Sequence, residues 1–510
     1  MLQKSKKLIL IIVFLLIVFF YLIVPTFIHI DSIVYYNTAK ILLGLNEFSS
    51  WDIVRGPTMA LVQYPFLLLF GNYEFSLRLC TCFFYLIMLI LTFDMCLKNN
   101  NHKFSLFMFI LFIILNPILF GYYHWLLTEF VATTLSSICV YVSIIFLKMD
   151  YNKKNFRIML AFYTFIFVFM WFLKQPYFTV ALFPCITTAL LKIKSKKDIL
   201  KSLSLVIIPS CFLIIMVFGW RQICINGGID YDSGKNSKYF LTTGVVYSNT
   251  NIRPQFNSSF YNYSFVKNFK YIPDDVRERL LYLIKNNKTN YMVYVVLDNK
   301  NETKDILLYE YKGDRPTLSE SIKFATKNII KYPLLSIDSY VSNYLGCINI
   351  YTSTRLFDYI YPFKKYTGYN NENQSVALFY LNGKKDNFLF YDCDSFDEVS
   401  NLNVEYSYNG NILINNLAKF HLGFYKIVYL LLPFIWVINL IQTIKNKDRY
   451  QNVFLITTFV FFHILSHVFT GGLIDRYVYI TFPVYICALI NWIDLIIEGR
   501  KSKYEKRSKK

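Results

Sequence analysis

The chain has 510 residues, of which 55% are hydrophobic and 19% aromatic, with a mean hydropathy of +0.36. That balance excludes a soluble protein of this length and implies many membrane-spanning helices. The net charge of +20 suggests nucleic acid until its distribution is read: residues 221–419 hold 23 Lys/Arg against 20 Asp/Glu, so nearly all of the excess lies elsewhere. It sits in short connectors and tails: Lys4 to Lys7, Lys98 and Lys103, Lys148 to Arg157, Lys192 to Lys201, Lys445 to Arg449, and Arg500 to Lys510. Basic clusters beside apolar runs mark the cytoplasmic side of a membrane protein, and no nucleic-acid partner is expected.

A span needs roughly 20 apolar residues. The first candidate, 8–28, is too long for a signal peptide and has no small-residue cleavage site, so it reads as a retained span running outward. An outer loop, 29–57, follows with Asp31 at its start, and then an apolar stretch, 58–70. That stretch is short and carries Pro65 behind Pro57, which predicts an interfacial or re-entrant helix. Further spans are predicted at about 75–97, 104–122, 126–147, 157–173, 176–191 and 202–219. A polar region, 220–420, separates these from three more at about 422–443, 452–470 and 477–497. The expected fold is therefore a polytopic α-helical membrane protein of about ten transmembrane helices, with interfacial helices in the first outer loop and a small α+β outer region. Its units are an N-terminal transmembrane module, 1–219, whose first outer loop spans 29–74; an extracytoplasmic region, 220–420; C-terminal transmembrane helices, 421–497; and a basic tail, 498–510. Both termini are expected in the cytoplasm.

Within 220–420, residues 291–297 and 388–391 read as strands, and 277–285 and 318–331 as helices. Asn257 and Asn287 open Asn-x-Ser/Thr triplets, which in so Asn-rich a chain are better read as chance than as glycan sites. Most of the ten Cys lie in spans and none forms a CxxC pair, so neither a disulfide framework nor a zinc site is expected.

This topology gathers Asp31, Arg55, Glu129, Lys174, Arg221 and Arg476 on the outer side, away from every basic connector. Each has an ordinary reading: a juxtamembrane acid for Asp31, a dipole-favoured helix N-terminus for Glu129, headgroup snorkelling for the cations. A carboxylate within a span is costly and is a functional candidate by default. His463 and His467, at i and i+4, share a helix face, and with no third ligand nearby polar packing outweighs a metal pair. The chain carries no phosphate-binding glycine loop and no HExxH motif.

The order Asp31, Arg55-Gly56-Pro57, Gly71, Arg78-Leu79 resembles the first outer loop of GT-C class membrane glycosyltransferases, notably the protein O-mannosyltransferases and the lipid A aminoarabinose transferases. Those families carry Pro-Pro where this chain has Gly56-Pro57. Asp475-Arg476-Tyr477 to Pro483 resembles the opening of their last conserved span, and Trp220-Arg221-Gln222 followed by 242–249 loosely resembles a region after their seventh. The resemblance implies a glycosyltransferase of the cell envelope, in a bacterial inner membrane. It would move a sugar from a polyprenyl-phosphate donor to a lipid, glycan or protein acceptor at the outer face, inverting the anomeric carbon. It implies Asp31 as general base and Glu129 as the second acid, orienting the acceptor or holding a divalent cation; no other cofactor is called for. Arg55, Lys174, Arg221 and Arg476 would bind the donor phosphate. The alternatives are an O-antigen-type polymerase or ligase, whose key residues sit in later loops, and a multi-span transporter, for which internal repeats are expected and none is visible.

Overall fold

The computed structural model describes residues 15–24, 27–28, 30–51, 55–71, 74–97, 102–174, 177–193, 195, 198–229, 412–470 and 475–508, with isolated positions at 326–348 and 379–380. Almost everything described is helix. In chain order the helices are α1 (15–23), α2 (Ile30–Leu42), α3 (Thr58–Phe70), α4 (Glu74–Cys96), α5 (His102–Phe109), α6 (Pro117–His124), α7 (Thr128–Lys148), α8 (Lys154–Leu173), α9 (Phe178–Lys192) and α10 (Asp198–Asn226). After the central region come α11 (Ile412–Leu430), α12 (Leu432–Lys445), α13 (Lys447–Thr470), α14 (Asp475–Tyr479) and α15 (Phe482–Ser508). Two short strands, β1 (Phe27–Ile28) and β2 (Phe379–Tyr380), pair antiparallel with Phe27 opposite Tyr380. The strands and helices predicted inside 220–420 lie outside the described residues, apart from Thr326 and Ile330, which are helical.

Among the described residues five helices are long and apolar enough to cross a membrane, and seven if each of two bent pairs counts as one span. The protein is an integral membrane protein on that ground. Helix α9, predicted as a span, has only 15 residues, and α3 is the short apolar helix that its length foretold. The predicted tenth span begins as α15 at Phe482, not at 477; the residues before it form the separate short helix α14.

The bends have local causes. Between α5 and α6 the chain passes through a π-helical turn, Ile110–Ile114, and turns by 49°. Pro117 has no N–H to continue the ladder, and the Asn116 side chain instead accepts from the amides of Ile118 and Leu119, at 3.1 Å each. Pro433, in the first turn of α12, is at the matching break after α11, where the axis turns by 52°.

Helix α7 is the axle of the bundle. It buries 16 of its 21 residues, against five of 29 in α10, and packs on α4, α8, α9, α13 and α15. Its Ser and Thr residues make this possible. They are small enough for close helix approach, and they return their hydroxyls to the helix: Thr133 to the Glu129 carbonyl at 2.8 Å, Ser137 to that of Thr133 at 3.1 Å.

The polar contacts separate into two ends. At one, Lys192 donates to the carbonyls of Phe146 and Met149, closing the C-terminus of α7, while Ser105 donates to the buried Asp494 and Arg449 to the Leu495 carbonyl. The described basic residues Lys148, Lys153, Lys154, Lys192, Lys445 and Arg449 belong to this end. At the other end, Arg78 donates to the Leu22 carbonyl at 2.7 Å and His124 bonds that of Tyr21 at 3.1 Å. These two contacts satisfy the last carbonyls of α1, where the chain turns into β1 and α2.

Candidate functional site

The N-terminus of α7 lies at this second end, against α14. Glu129, in the first turn of α7, is buried with 2% of its side chain exposed, and its Oε1 lies 3.2 Å from Nε of Arg476 on α14. Thr128 donates to the other carboxylate oxygen at 3.2 Å. The helix dipole favours an acid here, so the same carboxylate is held by a helix and by a cation. Arg476 is itself mostly covered, 12% exposed, and its carbonyl accepts from the Tyr122 hydroxyl at 2.5 Å.

Lys174 follows α8 directly. Its Nζ donates to the Tyr477 hydroxyl at 2.6 Å and sits 4.4 Å from the centre of that ring, while the Arg476 guanidinium lies 5.3 Å from it. One tyrosine therefore joins two cations. Burial works against the Lys174 ammonium, but Tyr477, Tyr35 and Glu129 outweigh it and raise its pKa above the ordinary lysine value. Burial likewise pushes the Tyr477 phenol up, yet the Lys174 and Arg476 charges outweigh that and hold it below the ordinary tyrosine value.

Arg55 reaches the same neighbourhood from the first loop. Its Nη1 donates to the Tyr35 hydroxyl at 3.1 Å with the guanidinium 5.2 Å from that ring, and its carbonyl accepts from the Trp51 indole at 2.9 Å. Gly56 is what lets the turn approach. A Cβ built there would meet the Phe172 carbonyl oxygen, in the last turn of α8, at 2.1 Å. The position that carries proline in the resembled families must here lack a side chain, because the turn lies against α8 just before Lys174. Thr58 adds a bond to the Phe169 carbonyl at 2.9 Å.

Of the six residues singled out by the sequence, Glu129 and Arg476 are in direct contact, Lys174 joins them through Tyr477, and Arg55 joins through Tyr35. Asp31 lies in the first turn of α2, one turn ahead of Tyr35; its side chain is outside the described residues. Arg221 is exposed on α10, and among the described residues no contact ties it to Glu129, Lys174 or Arg476. Its neighbour Trp220 packs instead on Trp51, with ring centres 5.2 Å apart, and on Phe172 at 6.2 Å.

Sequence reasoning missed the two tyrosines. Tyr477 lies within the stretch Asp475 to Pro483 and Tyr35 is one helical turn from Asp31, but in a chain with 42 tyrosines neither carries a signal of its own. The histidines of α13 support the cluster from behind. His463 bonds the Tyr477 carbonyl at 3.0 Å and Thr179 at 2.8 Å, and His467 packs edge-on against it with ring centres 4.7 Å apart. A carbonyl only accepts, so Nε2 of His463 carries the proton and Nδ1 takes the Thr179 hydroxyl. Among the described residues no group of three or more His, Cys, Asp or Glu could hold a metal ion.

Fold and site together define a polytopic helical membrane protein with a covered cluster of cations at one end. No protein-family model and no curated protein matches the chain. Two solved structures are similar in outline, both of ArnT from Cupriavidus metallidurans, one in the apo state and one bound to undecaprenyl phosphate. Each is 9% identical, at TM-scores of 0.32 and 0.31, over 92% of this chain and 78% of theirs.

Proposed function

We propose that the protein is a membrane glycosyltransferase that uses a sugar on polyprenyl phosphate. The observation that carries this reading is the gathering of cations at one covered place. Lys174 and Arg476 lie together beside Glu129, and Lys174 donates to a phenol. Covered cations of this kind hold a lipid phosphate. Arg476 and Arg55 offer planar guanidinium donors and Lys174 a compact ammonium, a set suited to phosphate oxygens.

In the reaction an acceptor hydroxyl or amine attacks the anomeric carbon. The bond from that carbon to the phosphate oxygen breaks, and its electron pair leaves on the phosphate. Asp31, at the start of α2, takes the acceptor proton, and direct displacement inverts the anomeric centre. Glu129 fixes Arg476 and faces the acceptor side. Arg221, exposed on α10, meets the donor phosphate at the rim. The site opens to the outer face of a bacterial inner membrane, with both termini and the basic connectors in the cytoplasm and about ten spans in all. The loop-sequence resemblance at Asp31, Arg55, Gly71 and Arg78-Leu79 supports this over a polymerase or a transporter.

The test is transfer of radiolabelled sugar from a polyprenyl-phosphate donor by purified protein. Asp31→Asn should retain folding and lose transfer by about 10²-fold or more, the usual scale for a general base. Wild-type transfer by Asp31→Asn would overturn the mechanism.

A further inference from the structure

Tyr477 has a hydrogen-bonding role that its neighbours leave unfinished. Its hydroxyl oxygen accepts from the Lys174 ammonium at 2.6 Å, and an ammonium can only donate. The phenol proton must therefore point elsewhere. The groups around the ring are Lys174, Arg476, Glu129 on α7, Tyr177 on α9, whose ring centre is 5.6 Å away, and His467 on α13 at 5.9 Å. Among the described contacts none accepts that proton. The residue is 8% exposed, its carbonyl is pinned by His463, and the five-residue helix α14 that bears it also carries Arg476.

We propose that Tyr477 is a substrate-binding residue whose phenol donates a hydrogen bond to a phosphate oxygen of the polyprenyl-phosphate ligand, between the oxygens taken by Lys174 and Arg476. The proposal rests on the glycosyltransferase reading above. It assigns the tyrosine a contact with the reacting group and makes the two flanking cations part of its chemistry. They polarise the O–H, so it becomes a stronger donor to an anion, and they hold its ionisation below the ordinary tyrosine value. Once ionised, the same oxygen repels the phosphate.

The full-length protein in nanodiscs is titrated with undecaprenyl phosphate, with undecaprenol as the neutral control, across pH 7 to about 10. The wild type should bind the phosphate and lose affinity as pH rises through the range below the ordinary tyrosine value. Tyr477→Phe should bind about 10-fold more weakly at pH 7, the scale of one hydrogen bond to a charged group, and lose the alkaline decline. Equal affinity in the two proteins at pH 7, or a wild-type profile that stays flat to pH 10, overturns the proposal; the second measurement stands even if the Phe variant fails to fold. Wild-type binding that does not distinguish undecaprenyl phosphate from undecaprenol overturns the phosphate reading of the whole site, a separate result.

Discussion

Gly56 gives the most direct test of the arrangement, because one methyl group is enough. In Gly56→Ala the new Cβ would lie 2.1 Å from the Phe172 oxygen, 2.8 Å from its carbonyl carbon and 2.9 Å from its Cα, and all three are backbone atoms of α8 that no rotamer change can withdraw. Reaching even 3.0 Å from the oxygen requires the turn and α8 to part by roughly 0.9 Å. Such a shift would carry the 2.9 Å bond from Thr58 to the Phe169 carbonyl of α8 beyond hydrogen-bonding range and displace Arg55 relative to Lys174. Overpacking of this kind costs about 1–3 kcal/mol in stability, and a displacement of about 1 Å in a reacting constellation costs on the order of 10²-fold in rate. Gly56→Ala should therefore unfold a few degrees earlier in detergent, keep its helical circular dichroism, and lose most of its sugar transfer. Gly56→Ala with wild-type melting and wild-type transfer would refute the close approach of the first loop to α8, and with it the place of Arg55 in the cluster.

Other outcomes follow from the same geometry. Glu129→Gln removes the carboxylate beside Arg476 and should destabilise the protein by about 3 kcal/mol, read from unfolding in detergent; replacing Arg476 by Gln as well should recover part of the loss. Lys174→Met should weaken undecaprenyl phosphate binding more than Arg221→Met does, since Lys174 touches Tyr477 and Arg221 is exposed; the reverse order in a binding titration would count against the cluster. His463→Gln, which keeps a donor for the Tyr477 carbonyl, should hold transfer within a few-fold of wild type, and His463→Leu should not. Cys96 and Cys487 have sulfurs 3.2 Å apart, so a membrane-permeant oxidant should join α4 to α15, visible as one cross-linked peptide pair by mass spectrometry.

Much of the fold was legible because hydropathy states membrane helices openly. The apolar runs at 75–97, 126–147 and 157–173 became α4, α7 and α8 with small shifts at their ends. The bends were less legible. Pro117 was visible as an interruption, but hydropathy counts apolar residues and is blind to a π turn or to an Asn that caps the next helix. Glu129, Lys174 and Arg476 stood out because charge is rare beside apolar sequence. What joins them did not: a tyrosine looks the same in a lipid-facing girdle and in a cation bridge, and Gly56 reads as an ordinary turn until α8 is placed against it. Charge convergence is a matter of topology and could be reasoned out; close backbone approach depends on coordinates.

The Asn116 amide serves two masters. Its oxygen holds the first amides of α6, while its nitrogen donates to the Tyr479 hydroxyl at 3.1 Å, three residues beyond Arg476. The elbow in the α5–α6 pair and the segment bearing Arg476 and Tyr477 are thus riveted by one side chain. If the elbow flexes, Arg476 and Tyr477 move with it, so the bend of the α5–α6 pair and the cation cluster operate on a common hinge.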